Sequence, residues 1–229
     1  MVATRSKLWY LQRFKLLDAL SESQRQFLAQ SARMFELKRG ERVYVPGDPS
    51  DQIFLLKRGV VKIASPGSDH QEAVLAFLHP GDIFGELAVV DESPRDHLAE
   101  VHEDACLCAL SRDLILRLAR ESPELGYRIT KVMGSRVRQF RTRLEELLCT
   151  SATGRVAHAL VDLAGEHGIS DDRGIIIPFR LSQRDLANLV GLTRETVNVV
   201  LHDFRQRGLV EVEGKSIRLL DAEALRKIP

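Results

Sequence analysis

Apolar residues recur along this chain with two different periods, and the changes of period divide it into parts. Residues 1–36 read as short helices, with Ser21 placed to cap the segment that carries Phe27 and Leu28. From Leu37 to Leu110 short runs of alternating apolar and polar residues take over. They are cut by Arg39-Gly40, Pro46-Gly47-Asp48, Arg58-Gly59, Pro66-Gly67-Ser68 and His79-Pro80-Gly81-Asp82, all suited to turns. Strands at such short spacing predict a compact antiparallel barrel or roll.

The helical period then returns. Ser122 is placed to cap a long helix, and Pro123 suits its first turn. Leu125, Ile129, Val132, Met133, Val137, Phe140, Leu144, Leu147 and Leu148 follow at spacings of mostly three or four residues. So long a stripe predicts a seam between two parallel helices. Ile129, Met133, Arg136, Val137, Phe140, Leu144 and Leu147 are the expected interface of that homodimer.

A further helix is predicted from Arg155 to about His167. Beyond it lie two short helices joined by a tight turn. Ser182 caps the first, whose Leu186, Leu189 and Val190 share a face. Gly191 supplies the turn, and Thr193 caps the second helix. Val197, Val200, Leu201 and Phe204 form its buried stripe, and Gly208 stops it. Residues 209–212 and 216–219 alternate like two strands around Glu213-Gly214-Lys215. The pattern is a helix-turn-helix with a wing. The predicted fold is α+β: a jelly-roll-like antiparallel β-roll with N-terminal helices (1–121), a long dimerisation helix (122–149) and a winged helix-turn-helix (150–229).

In such a motif the exposed start of the second helix meets the major groove of DNA. Arg194 suits the two acceptors of guanine, and Glu195 the amino donor of cytosine. Thr193 and Thr196 can bond phosphates, and Asn198 lies one turn on, within reach of a base or a phosphate. Ser182, Gln183 and Val199 complete the expected contact surface, Val199 against a thymine methyl. Lys215 at the wing tip, with Arg218, is expected to touch the backbone.

Charge qualifies this picture. The chain carries 33 basic and 32 acidic side chains, unevenly spread: residues 40–130 hold 9 against 16, residues 131–149 hold 5 against 2, and residues 150–229 hold 11 against 11. The DNA-reading part is therefore not globally basic. Its affinity must come from a local positive face, with Arg194, Arg205, Arg207, Lys215 and Arg218 as candidates, and should be salt-sensitive.

No apolar run is long enough to span a bilayer, and the N-terminus lacks the apolar core of a signal peptide, so a cytoplasmic protein without membrane contact is expected. Three cysteines suggest no disulfide framework. Nucleophile–base pairs, metal-ligand spacings and phosphate loops are missing from the sequence, so an enzyme is not expected.

Gly191-Leu192-Thr193 followed by Arg194-Glu195-Thr196-Val197 resembles the recognition helix of the Crp/Fnr family of bacterial transcription regulators. Thr153-Gly154-Arg155-Val156-Ala157 and the turns of the roll are similar to that family too, so the resemblance covers nearly the whole chain. It implies a homodimer on a palindromic duplex, and RNA polymerase as a partner if the protein activates. In the best-known members a second base-reading Arg stands where this chain has Val199.

The resemblance also implies an effector pocket in the roll. Gly85-Glu86-Leu87 is intact, and Arg95 stands at the position that pairs with a phosphate. The next residue is Asp96 where the family has Ser or Thr. A carboxylate there repels a phosphate and is expected to pair with Arg95. The positions that hold adenine in cAMP-responsive members are Phe140 and Arg141 here. Phe140 can stack on a base and Arg141 can pair with an anion, but neither reproduces the family's hydrogen bonds. These departures point to an effector other than cAMP, or to no small molecule.

The family's iron–sulfur sensors carry cysteines near the N-terminus, and this chain has none before Cys106. Haem needs an axial ligand. His79, His97 and His102 lie in the roll outside any specific motif and read as surface or turn residues. Cys106 and Cys108 share a strand face and read as core, with metal or thiol-redox chemistry as the alternative. Cys149, near the end of the long helix, can report on redox state only if exposed.

Overall fold

The structure is a computed structural model that describes residues 11, 14–67 and 72–229. The helices expected within residues 1–10 and 12–13 and the turn at Ser68 lie outside the described residues. The chain forms two compact units. One comprises residues up to Ile63 with Phe77–Arg138, and the other Ala64–Ala76 with Gln139–Pro229.

The first unit opens with a 3₁₀ turn over Lys15–Ala19 and helix α1 over Glu22–Ser31. Ser21 caps α1 as expected: its hydroxyl accepts the Gln24 N–H at 3.3 Å, and Gln24 Oε1 accepts the Ser21 N–H at 3.0 Å. Leu28 is fully buried, but Phe27 stays exposed under the Arg117 guanidinium. The expected helical stretch ends sooner than the sequence suggests, because β1 (Arg33–Leu37) already pairs antiparallel with β6 (Leu98–Ser111), from Arg33 opposite Ala109 to Leu37 opposite Ala105.

Strands β2 (Arg42–Tyr44), β3 (Gln52–Pro66), β4 (Glu72–Leu78) and β5 (Ile83–Phe84) complete a six-stranded sheet in the order β1-β6-β3-β4, with β2 added on β6 and β5 on β3. It does not close into a barrel. Arg58-Gly59, expected to be a turn, lies inside β3, where Gly59 has φ +87°. A Cβ there would lie 2.3 Å from the Asp104 carbonyl oxygen of β6 and 2.7 Å from the Ala105 Cα. Glycine serves here for close backbone approach inside a long strand, not for reversal.

A helix not read from the sequence, α2 (Arg112–Glu121), follows β6, capped by Ser111. Then comes the long helix α3 (Pro123–Cys149), which starts in the first unit and ends in the second. Ser122 does not cap it with its side chain. Its hydroxyl donates to the Ala19 carbonyl at 3.1 Å. Leu125 and Ile129 join Leu28, Leu55, Ile115 and Leu118 in one buried cluster, with Val132 and Met133 against it. Ile129, expected at the dimer seam, is thus part of the core of its own chain.

In the second unit α4 (Ala152–His167) begins three residues before the expected Arg155, because Ser151 caps it through the Gly154 N–H at 3.0 Å. An unexpected hairpin of β7 (Ile169–Asp171) and β8 (Gly174–Ile177) precedes α5 (Gln183–Val190) and α6 (Arg194–Gln206). Strands β9 (Val210–Glu213) and β10 (Ser216–Leu219) then extend that hairpin into a four-stranded sheet, β7-β8-β10-β9, and a short α7 (Ala222–Arg226) follows. Alternation sets the faces: Ile217 and Leu219 turn into the core, and Arg218 points the other way. None of the described helices is long and apolar enough to cross a membrane.

Candidate nucleic-acid interface and sensor pocket

The start of α6 is built by caps. Thr193 accepts the Thr196 N–H at 3.1 Å, and the two hydroxyls lie 2.9 Å apart. Both therefore support the helix end as well as facing outward. Ser182 and Asp185 form a reciprocal capping box on α5. Between the helices Gly191 adopts φ +66°, as the turn demands. The Arg155 guanidinium donates to the Val190 carbonyl at 3.0 Å, closing the C-terminal end of α5. Val197, Val200, Leu201 and Phe204 are buried as the period predicted.

Arg194, Glu195, Asn198 and Val199 are exposed on one side of α6. Gln183 Nε2 donates to Asn198 Oδ1 at 2.8 Å. This bond joins the two helices of the motif and was not foreseeable from spacing. Lys215 sits in the two-residue loop closed by Glu213 opposite Ser216, and its carbonyl accepts the Leu181 N–H at 2.9 Å.

Arg218 departs from expectation. It is 5% exposed and cannot serve as a surface cation. Its guanidinium donates to both Asp171 oxygens, at 2.6 and 2.7 Å, and to Glu213 at 2.8 Å. Arg207 is likewise paired, with Asp203 at 3.2 Å. Of the candidates for a local positive face, Arg218 is removed by burial, while Arg194, Arg205, Arg207 and Lys215 are exposed.

Hydrogen bonds from Arg218 hold the Asp171 and Glu213 carboxyls below the usual carboxylate range. A depressed folded-state value means that this stabilisation is present above the ordinary carboxylate range and is lost as pH falls through the lowered values. Thermal unfolding of wild type and Asp171→Asn should therefore differ at neutral pH and converge in acid. A gap that stays constant with pH would remove the ion pair as its cause.

In the roll, Gly85 lies at the start of a 3₁₀ turn over Glu86–Val89. Arg95 is buried, and its guanidinium donates to the Gly85 carbonyl at 3.1 Å and to the Gln52 carbonyl. It lies 4.5 Å over the Tyr44 ring, which joins Phe54 and Phe84 in an aromatic stack. Burial pushes the Tyr44 hydroxyl up to about 12, so it stays neutral. Glu86 is buried and pairs with Arg136 at 3.3 Å. Asp96 was expected on Arg95. Instead it faces the adjacent His97 imidazole, because Arg95 is turned into the sheet.

Leu87 is half exposed. Phe140 and Arg141 belong to the second unit, where Phe140 is exposed and Arg141 pairs with Glu145. A cleft of about 280 Å³ lies beside Arg95, lined by Tyr44, Asp48, Asp51, Gln52 and Phe54 among others. Arg95 is thus partly engaged by this chain's own carbonyls and Glu86 by Arg136, while the Arg95 Nε–H has no partner among the described residues.

Cys106 and Cys108 are buried opposite Glu36 and Met34, and burial pushes the Cys106 thiol up, away from thiolate chemistry. Cys149 is exposed. His79 lies at a turn, its N–H on Asp82 at 2.7 Å, and His102 is buried edge-on to Phe77. Among the described residues no group of three or more His, Cys, Asp or Glu could hold a metal ion.

A nucleotide-sensor-like sheet followed by a winged helix-turn-helix defines a DNA-binding transcription regulator. Residues 34–122 match the cyclic nucleotide-binding domain, and residues 154–228 the Crp-like helix-turn-helix domain. A CRP-like cAMP-activated global transcriptional regulator of Mycobacterium tuberculosis is 32% identical over 87% of this chain and 89% of its own length. The cyclic AMP receptor protein of Thermus thermophilus is 31% identical, over 83% and 85%. The solved structure of the c-di-GMP responsive regulator CLP of Xanthomonas campestris has a TM-score of 0.75 at 25% identity, covering 88% of this chain and all of that one. The chain belongs to the Crp/Fnr family.

Proposed function

We propose that this regulator is a cytoplasmic homodimer that reads a palindromic duplex site, under an input to the roll other than cAMP. Dimerisation is supported by the part of the α3 stripe that its own core leaves uncovered: Val137 and Phe140 are each 68% exposed, Leu148 76%, Leu144 46% and Leu147 44%. Ile129 and Met133 are taken by the core and leave the seam to the later turns. Pairing two chains there would set two α6 helices in successive major grooves, about 34 Å apart. Arg194 and Glu195 would read a G·C pair in each half-site, with Lys215 on the backbone. If the protein activates, RNA polymerase is its further partner. Selection from random duplexes is expected to return a two-fold site with that G·C pair. Selection without any enriched palindrome would leave the C-terminal domain to protein contacts.

The observation that carries the effector reading is Arg95, whose guanidinium is committed to two main-chain carbonyls. A phosphate would meet a guanidinium already partly engaged, with its Nε–H and two further N–H groups left to donate. The cAMP reading is favoured by the names of the Mycobacterium and Thermus relatives. Melting with cAMP, cyclic GMP and cyclic di-GMP decides between them, because a ligand at 100 times its Kd stabilises by about 2.7 kcal/mol. No rise is expected with cAMP. A clear rise that disappears in Arg95→Ala would establish cAMP as the effector.

A further inference from the structure

Arg218 is buried on the side of the wing sheet opposite the core. Across β8 its guanidinium reaches Asp171, at the end of β7, and beside it Glu213, at the end of β9. Arg173 pairs with Glu211 and Glu213 and closes the network. Glu213 immediately precedes the loop that carries Lys215. The wing tip therefore has two restraints: the Leu181 N–H on the Lys215 carbonyl, and this lateral clamp.

We propose that Arg218 is a positioning residue for DNA reading: by holding Glu213 and Asp171 together it keeps the tip rigid and leaves the Lys215 ammonium free for a phosphate. The proposal rests on the reading that the wing meets DNA. Without Arg218, the carboxylates of Asp171, Glu211 and Glu213 face only Arg173 beside the tip, and Glu213 becomes a competitor for Lys215. A lysine at 218 would supply one compact charge where the site uses a fork that spans two strands.

A double-mutant cycle tests the assignment, because general loss of stability moves affinity but does not erase the effect of one particular side chain. Affinity for the selected duplex is measured for Lys215→Ala, Arg218→Met and Asp171→Asn, alone and combined. Arg194→Ala is added in each background. In the wild type, Lys215→Ala should weaken binding about fivefold per wing at 0.15 M salt, as a slope of roughly 0.9 per phosphate relative to 1 M implies.

With Arg218→Met the same truncation should cost less than about twofold, within ordinary additivity error. With Asp171→Asn it should fall between, and this milder variant decides the matter should Arg218→Met fail to fold. Arg218→Lys should not restore the full effect. Arg194→Ala should keep its loss throughout, which separates failure of this assignment from failure of the DNA-binding reading. Equal Lys215→Ala losses in every background, or none in the wild type, would overturn the proposal.

Discussion

Replacing Arg194 by alanine should sharply reduce selective binding while leaving the protein folded and able to hold DNA loosely. The side chain is exposed on the first turn of α6, where caps and a buried stripe fix the helix beneath it. A bidentate contact to guanine contributes about 1–3 kcal/mol of discrimination, so two half-sites together lose about 2–6 kcal/mol. That corresponds to a fall of about 30-fold or more for the selected duplex. Binding to scrambled duplex should change far less, because phosphate contacts carry it. Fluorescence anisotropy with both duplexes reads the ratio directly. An unchanged ratio would move sequence reading off Arg194. Glu195→Ala should act differently, relaxing preference at the cytosine with less loss of affinity.

The second large effect is structural. Gly59→Ala should destabilise the roll by about 2–5 kcal/mol, combining roughly 1–2 for a left-handed backbone with roughly 1–3 for steric overlap. The added Cβ meets the Asp104 carbonyl and the Ala105 Cα, which belong to a strand backbone that cannot yield as a side chain would. Gly40 provides the control, since its φ is +85° but nothing lies within 4 Å of its Cβ position. Gly40→Ala should therefore lose only the conformational part. Urea midpoints measure both, and equal losses would show that close approach at Gly59 carries no cost.

These contrasts also show which features were legible in the sequence. The helix-turn-helix and the wing could be read because their signals are local: Ser182, Gly191 and Thr193 act within a few residues of where they stand. The stripe of α3 was legible as a stripe. The sequence could not say which of its residues the chain's own core would claim, because Leu125 to Met133 look no different from Val137 to Leu148. Strand β1 was missed because its pairing with β6 lies far along the chain. Gly59 was misread because a glycine that admits a neighbouring backbone has the same local signature as one that turns. Arg218 was misplaced for a related reason. Alternation puts it on the outer face, and nothing nearby announces that Asp171 will cover it.

The Gln183–Asn198 bond and the paired Thr193 and Thr196 hydroxyls have a consequence for the thermodynamics of reading DNA. Ordering a long, mobile side chain at an interface costs about 0.5–1.5 kcal/mol. Much of the α6 surface has already met that cost during folding, because its polar side chains hold one another in place. Arg194 and Glu195, the two expected base readers, are long side chains with no ion pair in the described structure. The cost of ordering them is therefore still to be met when they make the discriminating contacts. On a wrong site these side chains can stay mobile, so the ordering cost falls on the correct contact alone and tempers the discrimination its hydrogen bonds provide.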